Sequence, residues 1–550
     1  MMKSSTALAA LLALTTPMAA SASGLIDNVN GITTGADGRI IHFNALLLDK
    51  DGKVEKRLAE KEKRPKQLDY RFDGKGMTLI PGFVDAHADV MRLAIALLSL
   101  DLSGATSVDD TAARVSAYAA EGRRWILGSG WDASRWPEGT PPTAAALDRA
   151  VSDTPVWLVD ASGEQGWANS AALKLAGITA TTAQPAGGRI VMAGGKPTGI
   201  LIGTAMDLVE RLVPKPAPKD LDAAFLKAQA AYLSRGITAV GDMGTNIADW
   251  QALRRAGDRD ALRLRIIGYT ATVDDLPLVA GPQPSPWLYD GRLRLAGVHF
   301  TIDGDVGAHR AWLNAPYADA PELSGEPLLQ DTRLRNLMSR AAMDGFQIVL
   351  DAHGDKALTE AASAISEMGQ TYVARMRWRI DGADLATPGD FTGLPMDRLS
   401  LTVRPDAIGD GGALARQRLG AVADSRAYGW KDLTTAGAGL TFAGRGPFSP
   451  LAPLDAIRVA MTRQGPDGQP VAGWRPEQRL SFAEAFRAVT AGGAAALGAD
   501  GKFGTLAPGE YADFLLLDKD IELAQPGDIP RLRVLETWIA GRKILLDAKK

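Results

Sequence analysis

The sequence contains no cysteine, and only five histidines occur in its 550 residues. Without cysteine there is no disulfide, no thiolate metal ligand and no cysteine nucleophile. With so few imidazoles, any site built on histidine has few positions to draw on. Net charge is nearly absent as well: 61 Lys and Arg face 64 Asp and Glu, a formal charge of −3. That balance gives no general attraction to nucleic acid or to an anionic membrane. The basic runs Lys53–Arg57 and Lys61–Arg64 alternate in sign, as a solvated hairpin does. The apolar run near the start, Ala7–Leu14, is too short to cross a bilayer, which takes about 20 residues. It follows Lys3 and precedes Ala20-Ser21-Ala22, a small-x-small cleavage pattern. Residues 1–22 therefore read as a cleavable secretory signal, an uncleaved anchor being the other reading. The mature chain is expected to begin near Ser23, in the periplasm, with no membrane insertion after cleavage.

What is present is globular: 46% hydrophobic and 23% charged residues, enough to build a large core. The length implies two or three domains. Residues 24–78 alternate as short strands broken at Asp51-Gly52, and residues 497–550 have the same texture in "DFLLLDKD" and "LETWIAGRKILL". Two β-rich ends predict one small composite β-sandwich. Between them, apolar runs such as "GITAVGDMG", "LAGVHFTIDGD", "FQIVLDAHGD" and "RWRIDGAD" alternate with Ala-rich amphipathic stretches. Repeated strand–helix units over residues 79–496 predict an α/β fold, a (β/α)8 barrel, with an inserted α/β lobe at about 105–215. Polar residues gather where these runs end, the face on which barrel active sites lie.

Several segments carry a resemblance: "LIPGFVDAH", "GSGWDASRWPEGTPPTAAALD", "WANSAAL", "GITAVGDMGT", "GVHFTIDGDVGAHRA", "HGDKAL" and "GTLAPGEYADFLLLDKD". In this order and spacing the chain resembles the amidohydrolase superfamily over nearly its whole mature length. The family 3 branch, which includes N-substituted formamide deformylase and related exported proteins, is the most similar. The resemblance implies a barrel with a composite sandwich, and hydrolysis of non-peptide C–N bonds of small molecules at one or two metals. In that family a His-x-His on the first strand grips one metal and a carboxylated Lys in a "GVK-F-DG" segment bridges to a second. Further His residues lie in "HAIGD" and "RIEHAQ" segments, and an Asp in "GSD-P" takes the proton.

The chain departs from that pattern at nearly every one of these positions. The first imidazole is His87, but Asp89 stands for the second. His299 replaces the bridging Lys, and Asp351 the next His, with His353 two residues on. Gly382 and Gly446 stand at the remaining His and the Asp, Arg445 preceding the latter. His299 has no amine to carboxylate, so the usual two-metal centre is not expected. Two readings remain open. In one, His87, Asp89, His299 and Asp351 hold a single divalent ion, Zn²⁺ or Mn²⁺. In the other, the same residues form a metal-free polar pocket, and the chain is a pseudo-hydrolase that binds a small molecule or protein without turnover. Glu164, Asp303, Asp305 and Asp384 are the carboxylates placed to replace the lost base, and Arg445 is a candidate anchor for an anionic group. His309 reads as a structural hydrogen-bonding residue, His42 as part of a β segment, and Trp131, Trp136 and Trp167 as core.

Overall fold

The computed structural model describes residues 23–120, 122–136, 142–372, 377–444 and 451–545. The segment read as a signal, residues 1–22, lies outside these, as do Arg445 and Gly446. Eight parallel strands form the central sheet: β1 (Phe83–Ala88), β2 (Ile237–Met243), β3 (Arg265–Thr270), β4 (Leu293–Thr301), β5 (Gln347–Ala352), β6 (Trp378–Gly382), β7 (Leu399–Val403) and β8 (Gly439–Phe442). They follow one another in sequence order, so each crossover is a neighbour-to-neighbour βα step. At the seam between β1 and β8, Asp85 accepts hydrogen bonds from the backbone N–H of Gly444 (3.4 Å) and Leu451 (2.9 Å), which nearly closes the barrel.

The strands read as apolar runs because both faces are covered, one by the barrel interior and one by helices. Strand β2 is buried at all seven positions. The outer helices show the complementary pattern. Asp355–Tyr372 buries Ala357, Leu358, Ala361, Ala362, Ile365 and Met368, a stripe at three- and four-residue spacing. Ile247–Asp258 begins with a capping box, Asn246 and Asp249 each satisfying the other's backbone N–H.

Between β1 and β2 the chain builds a lobe around a six-stranded mixed sheet that runs from Leu100–Asp101 to Lys196–Gly203. Trp131, Trp136 and Trp167 pack together in its core, ring centroids 5.8–6.4 Å apart. A second six-stranded sheet draws on both ends of the chain. Thr78–Pro81 pairs with Phe514–Leu517 on one side and Asn30–Thr34 on the other. It faces a four-stranded sheet made of Gly24–Asp27, Ala45–Leu48, Val54–Leu58 and Tyr70–Asp73. Ile26, Leu46, Phe514, Leu516 and Trp538 share the core between the two. This sandwich is tied to the barrel by a fully buried ion pair: Arg265, at the start of β3, donates to both oxygens of Asp513, at 2.5 and 2.8 Å.

Candidate active site

Alternation along a strand sends residues two apart to the same face. On β6 that rule puts Arg379 and Asp381 together inside the barrel, and the guanidinium holds both carboxylate oxygens at 2.7 Å. Arg379 Nη2 also donates to the Ala86 carbonyl at 2.6 Å, joining β6 to β1 across the interior. His87, near the end of β1, sets its Nδ1 2.6 Å from Asp381 Oδ2. The His299 ring, from β4, meets the His87 ring edge to face with centroids 5.2 Å apart. One donor atom from each of His87, His299 and Asp381 lies within 4.8 Å of the others.

The electrostatics of this group follow from burial and from Arg379. Burial works to raise the Asp381 carboxyl, but Arg379 and the His87 hydrogen bond outweigh it and hold the group well below the usual carboxylate range. Burial pushes the His299 imidazole down to about 4, so it is neutral at ordinary pH. Its Nε2 is buried without a hydrogen-bond partner, 3.9 Å from Asp351 Oδ2. A buried polar atom left unpaired is costly, and an unpaired imidazole nitrogen beside a second imidazole and a carboxylate is a donor set that fits one divalent ion.

A second group lies at the ends of β5 and β6 and in the loop after β4: Asp305, His353 and Asp384, again with donor atoms within 4.8 Å. His353 Nδ1 is 2.7 Å from Asp384 Oδ2, and its Nε2 is 3.2 Å from Asp351 Oδ1. Burial lowers the His353 imidazole, but the Asp351 and Asp384 carboxylates overcome it and hold the ring well above its ordinary value, hence protonated. Asp303 fixes the loop beneath by accepting from the backbone N–H of His353, Gly354 and Trp312 at 2.7–2.8 Å. Arg404, after β7, reaches toward Asp305 and Asp351, 3.9 Å from each.

A cavity of about 290 Å³ opens between the lobe and the barrel loops, with Trp131, Asp132, Asp160, Ser162, Asp305 and Arg418 in its wall. A larger one of about 350 Å³ lies beside Arg189, His309 and Arg310 and contains no residue of either His/Asp group. Of the two, the smaller cavity shares one residue with a His/Asp group, Asp305 of the second.

The sequence pattern of the Amidohydrolase family matches residues 72–544. The chain belongs to the Amidohydrolase family. It is similar to the protein LONG AFTER FAR-RED 3 of Arabidopsis thaliana, 30% identical over 495 residues, covering 86% of this chain and 82% of that one. It is also similar to the N-substituted formamide deformylase of Arthrobacter pascens, 26% identical over 494 residues, 86% of this chain and 89% of that one. Among solved structures, an uncharacterized metal-dependent hydrolase from Pyrococcus horikoshii OT3 superposes with a TM-score of 0.74. Its sequence is 25% identical, with 92% of this chain and 99% of that one covered.

Within this amidohydrolase barrel the residues singled out in the sequence separate into different roles. His87 and His299 come together, and the carboxylate beside them is Asp381. Asp89 instead caps the helix Val90–Ala96, accepting from Arg92 N–H at 2.9 Å, and neither His/Asp group includes it. Asp351 turns to His353 and is likewise outside both groups. The two oxygens of Asp303 are engaged by backbone N–H groups. Glu164 accepts from Asp305 N–H at 3.1 Å and pairs with Arg310 at 3.4 Å. Asp384 binds His353. His309 contacts Asp319, and His42 contacts Glu522. Asp381, Arg379 and Arg404 went unread in the sequence. The Arg-x-Asp spacing in "RWRIDGAD" was the available signal for the first two, while Arg404 follows its strand with no pattern to mark it.

Proposed function

We propose that the chain hydrolyses a non-peptide C–N bond of a small molecule at a centre that holds at most one divalent ion, through His87, His299 and Asp381. The observation that carries this reading is the buried, unpaired His299 Nε2 beside the His87 ring. A bound Zn²⁺ or Mn²⁺ supplies Lewis-acid polarisation of the electrophile. The chain's own residues do the rest. Arg379 orients Asp381, and Asp381 fixes His87 through its Nδ1. Glu164 holds the Asp305 backbone at the cavity wall, where Asp305 is placed to take up or release a proton at the substrate.

A metal-free binding pocket is the second reading, and one observation favours it: Arg379 already neutralises Asp381, the only carboxylate of the first group. Metal analysis of the purified protein separates the two. One tightly held equivalent per chain is expected, lost on His87→Ala and on His299→Ala alike. Two tightly held equivalents would overturn the single-ion centre. Metal-free protein that turns over no N-substituted formamide, hydantoin or N-acyl amino acid would decide for the binding pocket.

A further inference from the structure

Strand β7 brings one guanidinium to the C-terminal end of the barrel and leaves it without a close acceptor. Thr402 on this strand faces the barrel interior, where its Oγ1 accepts from Arg379 Nε at 3.1 Å. Arg404 comes two residues later, held in extended backbone before Pro405 (φ −114°, ψ 96°), so alternation turns it to the same side. Arg379 and Arg265 each bind both oxygens of a carboxylate at hydrogen-bonding distance. Arg404 does not. Among the described residues its nearest carboxylate oxygens are Asp305 Oδ2 from Nη1 and Asp351 Oδ1 from Nη2, each at 3.9 Å, too far for a hydrogen bond. No closer acceptor among those residues engages it, and 12% of its side chain stays open. A gap of this length is one that an intervening oxygen bridges.

The neighbours of Arg404 indicate what that oxygen belongs to. Asp351 turns its other oxygen toward the unpaired His299 Nε2, at 3.9 Å, and Asp305 stands in the wall of the cavity of about 290 Å³. The guanidinium thus lies between the cavity wall and the first centre. Two flanking carboxylates already match its charge, so a carboxylate or phosphate group would be repelled there and an uncharged acceptor would not. We propose that Arg404 binds the carbonyl oxygen of an uncharged amide substrate and stabilises the negative charge that gathers on it as water adds. The proposal rests on the hydrolytic reading above. The oxygen of water bonds to the carbonyl carbon, and the π electron pair moves onto the carbonyl oxygen, where the Arg404 N–H groups donate. The proton lost by water passes to Asp305 and from there to the leaving nitrogen as the C–N bond breaks. A carboxylic acid and an amine result, with no proton left over. Donors aimed at an oxygen that becomes charged act most strongly in the transition state.

The experiment follows hydrolysis of N-propylformamide by the purified full-length protein, with Arg404→Met and Arg404→Lys beside wild type. Both variants are expected to lose roughly 10²–10³-fold in kcat while KM changes little. Arg404→Lys keeps the charge but not the forked N–H geometry, and it serves alone if the methionine variant does not fold. Added guanidinium ion, far below denaturing concentrations, is expected to restore part of the kcat of Arg404→Gly, which a purely structural arginine would not allow. A second readout needs no turnover. Infrared spectroscopy of N-propylformamide, isotope-labelled in its carbonyl, should show the bound C=O band moved to lower frequency by wild type and less so by the variants. A kcat within a few-fold of wild type in every variant that folds would overturn the proposal. So would a carbonyl band that is the same in wild type and variants, or an amide that wild type does not bind. If wild type hydrolyses no amide yet shifts the band and the variants do not, the hydrolytic reading fails while the carbonyl contact stands.

Discussion

At the scale of single residues, the interior is held by carboxylates whose surroundings give them different charges. Asp381 is kept ionised by Arg379, but Asp242 on β2 has no such partner. It accepts from Thr245 Oγ1 at 2.6 Å and from Val90 N–H at 2.7 Å. Burial, and then the nearby carboxylates of Asp89 and Asp249, push it up to about 8 from an ordinary 3.8. The folded chain therefore keeps a proton that the unfolded chain releases, and folding stability falls as pH rises between those values, levelling off above the upper one. Urea unfolding across that window should show Asp242→Asn losing this slope. At the alkaline end the variant should gain on the order of 2–5 kcal/mol relative to wild type. Parallel pH profiles for the two proteins would refute the assignment. The same contrast explains what was legible in the site. His87 and His299 could be found because strand motifs mark them. The displacement of Asp89 to a helix cap could not, since cap and ligand are the same residue type at the same spacing.

At the scale of elements, the positions of β4 and β5 decide whether His299 can meet His87. Gly297 and Gln347 are register partners on these strands. A Cβ at Gly297 would lie 1.9 Å from the Gln347 carbonyl oxygen, a backbone atom that cannot swing away. Gly297→Ala is expected to force the two strands apart, to cost roughly 1–3 kcal/mol or more in denaturant unfolding, and to weaken metal retention at His299. An unchanged midpoint with unchanged metal content would show that the strands have slack. The elements themselves were largely readable. "GITAVGDMG" and "FQIVLDAHGD" are apolar runs of strand length, and Asp355–Tyr372 shows its buried stripe in the sequence. Side-chain pairing was less so, because a contact such as Arg404 with Asp351 joins separate strands and leaves no periodic trace.

At the scale of the molecule, barrel and sandwich are joined by charge as well as by apolar contact. Arg265 and Asp513 are both fully buried, Asp513 also accepts from Ala540 N–H at 2.8 Å, and the guanidinium lies 4.0 Å from the Tyr511 ring centroid. Asp513→Ala would leave a buried guanidinium without its counter-charge, with an expected loss of about 3–5 kcal/mol in unfolding free energy. A loss within a few tenths of a kcal/mol would mean that water reaches the junction. The sandwich has a further consequence, one of timing. Its central ladder joins Thr78–Pro81 to Phe514–Leu517, strands that flank the entire barrel in sequence. Loop closure must precede any reward from such distant pairing. During synthesis the strand Thr78–Pro81 therefore waits for its partner until Phe514–Leu517 has been made. The barrel strands, which lie between the two in sequence, are all made before this ladder can form, and the sheet acts as a latch over them.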